Sequence, residues 1–162
     1  MTVEVTQGDG RSVAFITLGC AKNEVDSGKM RAKAKAAGYH IEQDPEKADA
    51  IVINTCSFIQ SATEESLEAI FEAAGMENVV SGDAKLIVAG CMPARYGDEL
   101  AAELTEACAF VPCSKEDDLG DILNALFGGS PERAAADDNS DDEPASVSAY
   151  VKISDGCHRF CS

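Results

Sequence analysis

The chain has 162 residues, 45% of them hydrophobic, and a formal net charge of −16 from 29 acidic against 13 basic side chains. That length and apolar content support one buried core, while no apolar run approaches the roughly 18 residues that begin to span a bilayer. The acidity excludes a surface built to grip a phosphate backbone, so neither membrane insertion nor direct nucleic-acid binding is expected. The first ten residues hold Glu4 and Asp9, no Lys or Arg, and no apolar signal core after them, so a cytoplasmic location is expected. Seven cysteines in a reducing compartment point to metal binding or redox chemistry, and an odd count leaves a disulfide framework incomplete.

In chain order, Val13-Ala14-Phe15-Ile16-Thr17-Leu18 predicts a buried strand that ends at Gly19-Cys20. Residues 24–37 predict a helix with Val25, Met30, Ala34 and Ala37 at helical spacing, stopped by Gly38. Tyr39-His40-Ile41 predicts a short second strand, and after the turn at Asp44-Pro45 a third, Ala50-Ile51-Val52-Ile53-Asn54, runs into Thr55-Cys56. A helix over 62–74 follows, with Leu67, Ile70, Phe71 and Ala74 on one face and Gly75 closing it. The fourth strand, Lys85-Leu86-Ile87-Val88-Ala89, again ends at a Gly-Cys pair, Gly90-Cys91, before a helix over 95–107. Ala109-Phe110-Val111 predicts the last strand and 115–127 the last helix. Strands alternating with helices over short connections specify an α/β domain over 12–128, a flavodoxin-like, doubly wound parallel sheet of about five strands. Residues 129–148 are Gly, Ser, Pro, Ala and acid with hardly an aliphatic side chain, which predicts a flexible acidic linker. Ala149-Tyr150-Val151-Lys152-Ile153 then predicts the first strand of a second domain, occupying 149–162.

Cys20, Cys56 and Cys91 each fall within two residues of the carboxyl end of a predicted strand, namely the first, third and fourth. In a sheet ordered 2-1-3-4-5 those strands are neighbours about 4.8 Å apart, and all their carboxyl ends share the edge where ligands bind. Three thiolates suit a 4Fe-4S cluster with one iron left open. A free cysteine is also at home as a small buried apolar residue, so any one of the three taken alone has that second reading. Zinc is the rival metal, though the four ligands and close CxxC of a structural zinc site are missing from these loops. Cys113, after the fifth strand, belongs to the same edge and is a possible near-cluster residue, whereas Cys108 at a helix end reads as packing. His40 and His158 do not compete as ligands. Near the end, Cys157 and Cys161 stand four apart, the first two-thirds of a CxxxCxxC whose third cysteine would fall at position 164.

Three stretches carry a family resemblance: Leu18-Gly19-Cys20-Ala21-Lys22-Asn23-Glu24-Val25-Asp26-Ser27, Ala48 to Ile59 around Asn54-Thr55-Cys56-Ser57, and Ala89 to Gly97 around Gly90-Cys91-Met92-Pro93. Over 12–162 the chain resembles the radical S-adenosylmethionine methylthiotransferases. The resemblance implies that Cys20, Cys56 and Cys91 hold an auxiliary 4Fe-4S cluster. It implies too that Cys157 and Cys161 begin a second, radical-generating cluster that binds S-adenosylmethionine in a barrel domain truncated here. Lys22-Asn23-Glu24-Val25-Asp26-Ser27 and Tyr150-Val151-Lys152-Ile153-Ser154-Asp155-Gly156-Cys157 are similar to the RimO branch. That branch methylthiolates the β-carbon of an aspartate in small-subunit ribosomal protein S-twelve and draws on an electron donor. The branch that modifies tRNA adenosine, MiaB-like, is the alternative. A non-catalytic flavodoxin-like module for a flavin or nucleotide is a third reading, weakened because Gly19-Cys20-Ala21-Lys22 stands where a phosphate-cradling glycine loop would be. On the family reading the present piece binds a cluster and is inactive without the rest of the protein.

Overall fold

The apolar runs become five strands: β1 (Ser12–Thr17), β2 (His40–Glu42), β3 (Ala50–Thr55), β4 (Lys85–Gly90) and β5 (Ala109–Pro112). In the computed structural model, which describes residues 10–128, they form one parallel sheet in the order β2-β1-β3-β4-β5. The expected linker over 129–148, the expected strand over 149–153, and Cys157 and Cys161 lie outside the described residues. The expected flavodoxin-like α/β architecture and its strand order are both present.

Five helices cover the sheet: α1 (Ala21–Ala36), α2 (Gln60–Ala74), the single turn α3 (Glu77–Val80), α4 (Cys91–Glu103) and α5 (Leu119–Phe127). Alternation along each strand sends side chains to two separate cores. Val13, Val52, Ile87 and Val111 face Met30 and Ala34 of α1 and Leu119 and Leu123 of α5. On the other side Ala14, Ile51, Ile53 and Val88 meet Ile70 and Ala73 of α2 and Met92 and Leu100 of α4. Burial on both faces explains why β3 and β4 read as unbroken apolar runs.

Several boundaries move, and the shifts matter at the site. The helices expected at 24 and 95 begin at Ala21 and at Cys91 itself, because Gly19 and Gly90 take positive φ (90° and 96°) and turn the chain at once. Pro93 does not delay α4, since a first-turn proline forfeits only an N–H that has no helical acceptor. The helix expected to run to 107 ends at Glu103, where Leu104 leaves helical geometry. It is also kinked at Gly97, which has φ 41°. Residues Cys113–Asp118 form a 3-10 turn ahead of α5 instead of its first turn. Phe71, expected to face inward from α2, is 60% exposed, and Ala73 takes the buried position beside Ile70. Among the described residues no helix is long and apolar enough to cross a membrane.

Candidate functional site

Parallel pairing in register sets the spacing of the cysteine loops. Thr17 pairs with Asn54, Thr55 with Gly90, and Gly90 with Pro112. Cys20 therefore follows the end of β1 by three residues, while Cys56, Cys91 and Cys113 each directly follow β3, β4 and β5. The chain passes from β1 outward to β2 and then back across to β3, so the strand order reverses between β1 and β3, and Cys20 and Cys56 flank that point.

The edge is close-packed. A Cβ placed on Gly19 would stand 2.5 Å from Cβ of Cys56 and 3.0 Å from its Sγ, so the absence of a side chain at 19 is what lets the first loop lie against the second. Cys56 is buried, Cys91 and Cys113 are half-buried, and Cys20 is exposed. Cys20 precedes the first residue of α1 and Cys91 is the first residue of α4. The Sγ atoms of Cys91 and Cys113 are 4.0 Å apart. That contact, with the Cys113 thiol donating, lowers the Cys91 pKa to about 6 against the opposing effect of burial, and the nearby Lys22 charge adds to the lowering. The same contact, then burial, pushes the Cys113 thiol up. His40 pairs with Ser12 at the opposite, amino end of the sheet, as expected for a residue outside the site. Cys108 lies at that end too, its N–H donating to the carbonyl of Leu86, and its side chain is exposed; the expectation that it packs is wrong.

A buried polar frame beneath the edge holds the loops, and it is the part that reading the sequence by apolar spacing misses. Asn23 donates from Nδ2 to the carbonyls of Leu18 (2.7 Å) and Thr55 (3.0 Å), tying the first loop to the end of β3. Asn54 donates from Nδ2 to the carbonyl of Asn23 and to Oγ of Ser27, and Ser27 Oγ meets Thr17 Oγ1 at 2.7 Å. Thr55 Oγ1 donates to the carbonyl of Ala89 (2.6 Å) and accepts from the N–H of Met92, joining β3 to the start of α4. Ser66 of α2 clamps Cys56 from both sides, accepting from its N–H at 3.0 Å and donating to its carbonyl at 2.8 Å. Arg95 reaches from α4 to the carbonyl of Ser57. Asn23, Asp26 and Ser27 are buried while Val25, expected inside, is only half-buried. A signal was available: polar residues at 23, 26 and 27 recur at helical spacing on the face that should be apolar.

Among the described residues no three His, Cys, Asp or Glu side chains are grouped closely enough to hold a metal ion.

Residues 12–111 match the family described as Uncharacterized protein family UPF0004, and the chain belongs to that family. The matched span includes Cys20, Cys56 and Cys91. The chain is 42% identical over 160 residues to the ribosomal protein uS12 methylthiotransferase RimO of Sorangium cellulosum (strain So ce56), covering 94% of this chain and 32% of that protein. It is 41% identical over 153 residues to the RimO of Anaeromyxobacter sp. (strain Fw109-5), covering 90% of this chain and 32% of that protein. Against the RimO of Salinispora tropica (strain ATCC BAA-916 / DSM 44818 / JCM 13857 / NBRC 105044 / CNB-440) the identity is 42% over 122 residues, 75% of this chain and 23% of that protein. These matches support the resemblance to the methylthiotransferases and, within them, to the RimO type. The chain spans about a third or less of the length of these relatives, 32% of the first two.

Proposed function

We propose that the chain is the cluster-bearing part of a radical S-adenosylmethionine methylthiotransferase that acts, as a longer protein, on the β-carbon of an aspartate in ribosomal protein uS12. The observation that carries this reading is the placement of Cys20, Cys56 and Cys91 just past the carboxyl ends of three adjacent strands, beside the reversal of strand order. Three cysteines on separate loops of one sheet edge supply the donor chemistry of an iron–sulfur cubane, in which each thiolate binds a different iron. When bound, a 4Fe-4S cluster on three thiolates leaves one iron open to an exogenous sulfur group.

The chain's own residues hold the loops that carry these cysteines. Ser66 fixes the backbone of Cys56, Asn23 and Thr55 fix the loops on either side, and Gly19 keeps Cys20's loop against Cys56. The contact with Cys113, and then the Lys22 charge, favour the thiolate form of Cys91 that ligation requires. In the longer protein Cys157 and Cys161 begin the second 4Fe-4S site, where S-adenosylmethionine binds and an electron donor supplies the electron. The net charge of −16 suits a basic ribosomal protein better than tRNA, and fits a cytoplasmic enzyme whose acidic part makes no direct nucleic-acid contact.

Anaerobic reconstitution with iron and sulfide, followed by iron counting and Mössbauer spectroscopy, tests the cluster. Cys20→Ala, Cys56→Ala and Cys91→Ala should each lose the cubane signal, while Cys108→Ala should keep it. Iron content unchanged by all three ligand substitutions would sink the assignment. For the substrate, the full-length enzyme should add mass to uS12 at an aspartate; product on tRNA adenosine instead would establish the alternative.

A further inference from the structure

We propose that Cys91 and Cys113 form a reversible disulfide when the metal-free chain meets an oxidant of the disulfide class. The register makes the pair. Gly90 and Pro112 are aligned partners on β4 and β5, and Cys91 and Cys113 are the next residue on each. Neighbouring strands run about 4.8 Å apart, inside the roughly 4.4–6.8 Å between Cα atoms that a disulfide spans. The side chains also point at one another, since the Sγ atoms are in contact at 4.0 Å. Both thiols are half-buried, so a small oxidant reaches them. Cys108 provides a built-in comparison: it sits on the same short segment as Cys113 but at the amino end of β5, about 16 Å away for five residues of extended chain.

The chemistry is thiol–disulfide exchange. One of the two thiolates attacks a sulfur of oxidised glutathione, forming a mixed disulfide and releasing one glutathione. The neighbouring thiol then displaces the second glutathione, so the two hydrogens lost from the protein end on two glutathione molecules. A sulfur committed to this bond cannot also bind iron. Resting on the cluster reading proposed above, the consequence is that oxidation closes the edge at Cys91 and that a thiol reductant reopens it.

The 162-residue chain, stripped of iron, is incubated with oxidised glutathione, blocked with iodoacetamide, digested with trypsin and mapped by mass spectrometry. The wild type and Cys108→Ser should give peptide 86–95 linked to peptide 96–115. Cys113→Ser should lack that link and retain glutathione on Cys91. A link that survives Cys113→Ser, a link from Cys91 to Cys20 or Cys56 in its place, or glutathione left on Cys91 in the wild type would overturn the pairing. Iron uptake is then measured separately on reduced and oxidised wild type, with loss expected after oxidation and recovery after dithiothreitol. Reduced protein that takes up no iron would refute the cluster reading while leaving the disulfide to be judged by its peptide map. Full uptake by mapped, disulfide-linked protein would overturn the closing role.

Discussion

Replacing Gly90 by alanine should break the edge from within. Gly90 holds φ 96° and ψ −143°, a region that side-chain-bearing residues enter at a cost of about 1–3 kcal/mol. The added Cβ would also lie 2.6 Å from the carbonyl oxygen and 3.0 Å from the nitrogen of Thr55, with Oδ1 of Asn54 closer still. Two of those atoms are backbone of β3, held in register with β4, so they cannot swing aside as a flexible side chain would. Crowding of this kind adds about 1–3 kcal/mol. The sum, about 2–6 kcal/mol, is a large part of the roughly 5–15 kcal/mol by which a domain is stable. With a urea m-value of about 2 kcal/mol/M, the unfolding midpoint should fall by about 1–3 M. Gly28→Ala is the matched control: a Cβ there meets nothing within 4 Å, and removing a glycine from inside α1 should stabilise by about 0.5–1 kcal/mol. Circular dichroism during urea titration reads both. A Gly90→Ala midpoint within error of wild type would refute the claim that glycine is required by space and conformation together.

Ser66→Ala strips the N–H and carbonyl of Cys56 of their buried partner, and should cost about 1–3 kcal/mol and raise the alkylation rate of Cys56; an unchanged rate would mean that Ser66 does not restrain that loop. Asn23→Ala leaves the carbonyls of Leu18 and Thr55 without their side-chain donor and should lower stability by a similar amount of about 1–3 kcal/mol, read as a drop in the urea midpoint. In the metal-free chain, alkylation of Cys91 by iodoacetamide should rise with pH to a plateau with its inflection at about 6. Cys113→Ala removes the leading cause of that low value, so the inflection should move upward, and an inflection that stays put would contradict it. The sign for stability follows from the pair. The lowered Cys91 favours the folded state above the ordinary thiol range and loses that contribution as pH falls through about 6, while the raised Cys113 works in the opposite direction. Cys113, raised, is protonated in both states below the ordinary thiol range and acts only above it, so the urea midpoint should rise from pH 6 to 8 with Cys91, and a flat midpoint there would contradict the lowered value.

The sheet was legible because β3 and β4 are apolar on both faces and each is followed directly by a cysteine, so the repeat of strand, cysteine and helix announces itself along the chain. The strand order 2-1-3-4-5 came with the flavodoxin-like architecture and not from any residue of the strands themselves. The helix starts were not legible from apolar periodicity, because the first turns of α1 and α4 are committed to the cysteine loops and not to the core. For the same reason the burial of Asn23, Asp26 and Ser27 was not legible: an amphipathic pattern assumes an apolar inner face, and here that face is polar where it meets Asn54 and Thr17. The nearness of Cys113 to the edge was legible from its place after β5, but its contact with Cys91 depends on where two turns begin, which no spacing in the sequence encodes. Phe71 was misplaced because two adjacent positions, 70 and 71, both satisfy a helical stripe, and only packing against the sheet selects Ile70.

The parallel register has a kinetic consequence. Cys20, Cys56 and Cys91 are 36 and 35 residues apart along the chain, and helical crossover connections separate each from the next. No local hairpin can gather them, so the edge exists only after the slow, long-range pairing of β1, β3 and β4 that governs folding in parallel sheets. A nascent chain carrying Cys20 and Cys56 but lacking β4 offers two thiols and no enclosure, a composition prone to stray oxidation. On the cluster reading proposed above, iron and sulfide can be taken up only by a finished domain.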